Sequence, residues 1–130
     1  MKISVVGTGY VGLTTGACLA ERGHSVICID KDTGKVARLQ KGECPIYECN
    51  LEPMIQRNIK RDRLAFDSDV ARVEGSDVVF IAVGTPEGPD GFPDMTFVMT
   101  AAAACASHLG SDAVLVVKST IPPLAWRDVA

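Results

Sequence analysis

Near the start of the chain, Gly7-Thr8-Gly9-Tyr10-Val11-Gly12 forms a G-x-G-x-x-G run. Such a run can hold a diphosphate when it leaves a buried strand and opens a helix. The first glycine permits a tight turn, and the second puts no β-carbon between backbone and phosphate. The third lets the helix approach the sheet. Amides of the first helical turn then face the anion, aided by the positive end of the helix dipole. Asp30 closes the next apolar run. A carboxylate there accepts hydrogen bonds from the adenosine ribose and repels the 2′-phosphate of NADP, which favours NAD. Lys31 and Lys35 stand close enough to soften that repulsion, but neither is the arginine that usually accompanies the phosphate. Thr85, in Val83-Gly84-Thr85-Pro86, and Thr120, in Ser119-Thr120-Ile121-Pro122, follow two later apolar runs. Read singly, each has a plainer alternative: a bare glycine turn, an aspartate that starts a helix, or a turn threonine. Their convergence favours a shared ligand.

The elements that must position these groups alternate between two periods. Lys2 to Val6, Ser25 to Ile29, Leu64 to Phe66, Asp77 to Val83 and Ala113 to Val117 read as strands, the first two without a polar face. Helices are predicted from about Val11 to Arg22, stopped by Gly23, and from a cap at Asp32 or Thr33 to Gly42, with Val36 and Leu39 inward. Further helical stretches run from Leu51 to Ile59 and from Met95 to Ser107, with a helical turn from Asp69 to Val73. Strands apolar on both faces and separated by helices imply a parallel sheet covered on both sides. Right-handed crossovers then give an α/β, doubly wound domain. In that architecture the glycine turn, Asp30, Thr85 and Thr120 fall on one edge, beyond the carboxyl ends of four strands.

Composition narrows the function. With 130 residues the chain fits one domain, and aromatics at 5% leave an aliphatic core. A net charge of −3 without a basic run argues against nucleic acid, which needs a positive patch. No apolar stretch approaches the roughly 18 residues of a membrane span, and Ile3 to Val6 is too short for a signal-peptide core. Cys18, Cys28, Cys44, Cys49 and Cys105 are odd in number and irregular in spacing. Inert thiols, three of them in apolar segments, are expected rather than a metal site or disulfides. A reducing, cytoplasmic setting follows from that expectation.

The opening MKISVVGTGYVG, the segment Pro45-Ile46-Tyr47-Glu48 and the tetrads VGTP and STIP resemble the UDP-glucose/GDP-mannose dehydrogenase family in order and spacing. The likeness covers its N-terminal domain to about Pro122. It implies an NAD-dependent oxidation of a nucleotide-sugar alcohol to a carboxylate, with UDP-glucose the closest substrate, by two hydride transfers to two NAD molecules. By position, Gly7, Gly9, Tyr10, Val11 and Gly12 would hold the pyrophosphate, and Asp30 and Lys35 the adenosine end. Thr85 would lie nearer the nicotinamide. Thr120 would line the cofactor site near the water of the hydrolytic step, a supporting catalytic role. The family's catalytic cysteine, which forms a thiohemiacetal, and its lysine, asparagine and aspartate would lie in later domains. A homo-oligomer is implied for the complete enzyme.

Two departures stand out. Cys49-Asn50 replace the family's Pro-Gly, and Pro123-Leu124-Ala125-Trp126 replace Val-Gly-Thr. Residues 1–130 are therefore expected to be a Rossmann domain incomplete at its C-terminus, lacking the central and UDP-sugar-binding domains and inactive alone. A non-catalytic NAD-binding module, an incompletely folding product and a GDP-mannose or UDP-N-acetylmannosamine dehydrogenase fragment stay open as alternatives.

Overall fold

The computed structural model describes residues 1–89 and 91–122. The departure at Pro123 to Trp126 lies outside the described residues. In chain order the elements are β1 (Lys2–Val6), α1 (Tyr10–Glu21), β2 (Ser25–Ile29), α2 (Thr33–Gln40), α3 (Leu51–Lys60), β3 (Leu64–Asp67), a 3-10 turn (Val70–Val73), β4 (Val78–Ile81), α4 (Thr96–Ala106) and β5 (Val114–Val117). All strand pairs are parallel, in the order β3-β2-β1-β4-β5. The order reverses between β1 and β4, which makes their carboxyl ends the switch point where doubly wound sheets place ligands. The expected α/β architecture is what the chain adopts.

Alternation along the strands divides the core. Ile3, Val5, Val26, Cys28, Leu64 and Phe66 face one side, where they meet Leu13, Ala17 and Ala20 of α1, Val36 and Leu39 of α2, and Leu51 and Ile55 of α3. Val6, Ile29, Val79 and Ile81 face the other, against Val73 and against Val98 and Cys105 of α4. Burial of each large aliphatic side chain contributes about 1.5–3 kcal/mol. Glu21 clamps α1 to α3, accepting from Arg57 Nε at 3.0 Å and from the buried Asn58 Nδ2 at 2.6 Å.

Several element ends depart from the sequence reading by one or two residues. The largest difference is β4, which stops at Ile81 rather than Val83. Its partner β1 turns away at Gly7, so the Ala82 amide donates the last bond of the ladder, to Val6 O at 2.8 Å. Cys28 and Cys105 are buried as expected, but Cys18 is exposed: it lies on the outer side of α1, and all five thiols are free. None of the described helices is long and apolar enough to cross a membrane.

The outer edge of β5 is unpaired among the described residues, and Val114 is 54% exposed. An apolar edge strand is a template for pairing with another chain. Produced as these 130 residues, the protein is expected to self-associate, seen as elution ahead of a monomer in size-exclusion chromatography. A sharp monomeric peak with cooperative unfolding would count against this.

Candidate functional site

The glycine run forms a turn that the backbone could not make with other residues at two positions. Gly7 has φ +99°, and a β-carbon there would lie 2.6 Å from Ala82 O. A β-carbon on Gly12 would lie 1.9 Å from Gly7 O and 3.2 Å from the Ala82 methyl. Gly12 thus lets the turn fold back on its own helix. The close approach of α1 to the sheet, assigned to Gly12 from sequence, belongs more to Gly16, whose β-carbon would sit 2.4 Å from Cys28 Sγ.

Gly9 is different. Its φ of −70° suits any residue, and beyond its own stretch of chain no atom lies within 4 Å of its missing β-carbon. Folding does not require glycine here; an incoming group that must touch the backbone does. Gly9 is the N-cap of α1 and offers no side chain to the helix. The first intrahelical bond runs from Leu13 N–H to Gly9 O at 3.0 Å, so the amides of Tyr10, Val11 and Gly12 precede it and are uncapped. No acidic side chain stands in that first turn. Open space, free amides and the helix dipole together suit an anion with exposed oxygens.

Asp30 follows β2 on the same edge, its side chain 12% exposed. Its Oδ2 accepts from Thr8 N at 2.9 Å, Thr8 Oγ1 at 2.6 Å and Lys35 Nζ at 3.0 Å, while Oδ1 accepts from Asp32 N at 3.0 Å. Burial acts most strongly on this carboxyl and pushes its pKa up. The Thr8 hydroxyl, the amides of Asp32 and Thr8, and Lys35 together outweigh it and hold the pKa at about 2. Asp32 separately caps α2 by accepting from Lys35 N at 2.9 Å, the first of the two caps proposed from sequence. Lys31 forms no ion pair with Asp30 among the described residues; its Nζ sits 4.4 Å from the centroid of the Phe97 ring.

Thr85 and Thr120 follow β4 and β5, and neither side chain makes a hydrogen bond among the described residues. The link between those two loops is Ser119, whose hydroxyl donates to Val83 O at 2.7 Å. The parallel sheet therefore brings the glycine turn, Asp30, Lys35, Thr85 and Thr120 to a common edge. A cavity of about 520 Å³, bounded by Lys2, Ser25, Arg63 and Glu74 among others, lies at the opposite edge and involves none of them.

Sequence reading gave no role to Glu48, which accepts a hydrogen bond from Tyr10 OH and so ties the loop before α3 to the glycine turn. That contact raises the pKa of the tyrosine, through the hydrogen bond first and the carboxylate charge second. Asn50, standing where glycine is usual, adopts φ 62° as the N-cap of α3. The turn is thus made without glycine, as asparagine tolerates this region. Thr8 and Ser119 were likewise unassigned; small hydroxyl residues flanking strand ends were the only signal.

Comparison with known proteins places this geometry. Residues 1–130 match the model of the UDP-glucose/GDP-mannose dehydrogenase family, NAD binding domain. A UDP-glucose 6-dehydrogenase of Rhizobium meliloti (strain 1021) is 48% identical over 124 residues, 94% of this chain and 28% of the relative. A UDP-glucose dehydrogenase structure from Pyrobaculum islandicum has TM-score 0.91 at 37% identity, over 98% of this chain and 32% of that one. A UDP-D-ManNAc dehydrogenase structure from Pyrococcus horikoshii has TM-score 0.95 at 28% identity, over 100% and 31%. The chain spans under a third of the length of these relatives.

Proposed function

Because the chain belongs to the UDP-glucose/GDP-mannose dehydrogenase family, as its NAD-binding domain, we propose that it serves the oxidation of UDP-glucose to UDP-glucuronate. The observation that carries the reading is the open, uncapped backbone at Gly9 beside a half-buried, ionised Asp30. The diphosphate of NAD rests in the turn from Gly7 to Gly12, against the uncapped amides of Tyr10, Val11 and Gly12. Asp30 accepts from the adenosine ribose, and Lys35 balances its charge from 3.0 Å. Thr85 and Thr120 line the crevice toward the nicotinamide end, Thr120 beside the water of the second step.

Bound NAD supplies the hydride acceptor. In the complete protein the balance is one primary alcohol, two NAD and one water giving one carboxylate, two NADH and three protons. The cysteine, lysine, asparagine and aspartate of the chemistry, and the contacts of a homo-oligomer, belong to the rest of that protein. UDP-glucose is preferred over UDP-N-acetylmannosamine because sequence identity is higher to the UDP-glucose enzymes, at 48% and 37% against 28% and 32%. Backbone similarity does not separate the sugars. The five free thiols suit a cytoplasmic, reducing setting.

Calorimetric titration tests the binding reading. NAD is expected to bind at least about tenfold more tightly than NADP, a difference of about 1.4 kcal/mol from Asp30 facing a 2′-phosphate. Equal affinities, or no binding of NAD at millimolar concentration, would remove the reading. Assay of the complete protein with each nucleotide sugar, counting NADH per sugar, decides the substrate.

A further inference from the structure

Thr8 is 1% exposed although it sits on the turn between two glycines. Its amide and its hydroxyl both donate to one oxygen, Oδ2 of Asp30, which also receives Lys35 Nζ. Oδ1 receives only the Asp32 amide among the described residues. A carboxylate offers about four acceptor sites over its two oxygens. Oδ2 is therefore filled, and Oδ1 keeps capacity for one more donor. If Thr8 were needed only to pack, valine would fill the same space without the cost of burying a hydroxyl.

We propose that Thr8 is the positioning residue of the ribose subsite: its buried hydroxyl pins Oδ2 of Asp30, so that Oδ1 is the oxygen presented to the ribose of NAD. The inference rests on the NAD-binding reading above. The threonine touches the carboxylate and not the cofactor, so it acts through Asp30. The same bond helps keep the carboxyl ionised, which preserves its repulsion of a 2′-phosphate.

The test compares Thr8→Val, which keeps shape and amide but removes the hydroxyl, with Thr8→Ser, which keeps the hydroxyl. NAD and NADP titrations and thermal melts are run on each 130-residue chain. Thr8→Val is expected to weaken NAD about tenfold, the size of one hydrogen bond to a charged group. It should also lower the preference for NAD over NADP, because the anion is no longer held in place, and Thr8→Ser should restore both. A purely structural role would weaken the two dinucleotides equally; an unchanged ratio of affinities therefore overturns the proposal. Should Thr8→Val fail to fold, Thr8→Ser decides: NAD affinity within about twofold of wild type supports the hydroxyl, and a tenfold loss overturns it. A wild-type chain that does not bind NAD overturns the site reading as well, whereas a wild type that binds beside an indifferent Thr8→Val overturns only this one.

Discussion

Gly12→Ala is expected to lower the melting temperature by about 10 °C or more and to abolish NAD binding, whereas Gly9→Ala should leave the melt unchanged and still weaken the cofactor. The contrast comes from what a methyl group meets at each position. At residue 12 it would lie 1.9 Å from a backbone carbonyl oxygen, that of Gly7. Backbone cannot swing aside as a side chain does, so turn and helix must separate. Overpacking of this kind costs about 3 kcal/mol, which for a chain of this size is about 10 °C. At residue 9 the methyl group meets nothing within 4 Å beyond its own stretch of chain, and φ is −70°. Its cost appears only when a diphosphate must reach the amides, and a loss of about tenfold or more in affinity is expected there. Melting curves and titrations of the two variants check this directly. A Gly9→Ala chain with wild-type NAD affinity would show that the diphosphate lies elsewhere.

Asp30→Ala should weaken NAD about a hundredfold, since it removes a charge-assisted acceptor worth about 1.5–3 kcal/mol and loosens the turn beside it. It should also destabilise the empty protein, because the Thr8 amide and hydroxyl lose their acceptor in a 1% exposed site. The acid dependence has a definite sign. The folded pKa of about 2 lies below the ordinary 3.8. The carboxylate's stabilisation is therefore complete above about pH 4 and is lost as pH falls through about 2. A depression of this size corresponds to about 2 kcal/mol. Denaturant titrations of wild type and Asp30→Ala should differ by that much more at pH 5 than at pH 2. A pH-independent difference would mean the carboxylate is not held by these donors in solution.

Much of this was legible in the chain itself. Gly7, Asp30 and the Asp32 cap are local signals, and apolar strands fix the sheet class because no polar face is left for water. What was not legible depended on which segments the sheet brings together. Thr8 on Asp30, Tyr10 on Glu48 and Lys31 over Phe97 join residues from different excursions of the chain. Gly16 looked like any helical glycine until Cys28 was placed beneath it. Cys18 has the apolar neighbours Ala17 and Leu19, yet helical rotation turns it outward. Strand β4 is shorter than its apolar run because its length is set by the turn at the end of another strand.

The filled oxygen of Asp30 has an evolutionary corollary. A residue that both fastens the neighbouring turn and greets the adenosine sugar cannot be exchanged for one purpose alone. Converting this domain to the phosphorylated dinucleotide requires a coordinated change at positions 8, 30 and 35, because any single step on that route first surrenders the foundation on which either dinucleotide stands.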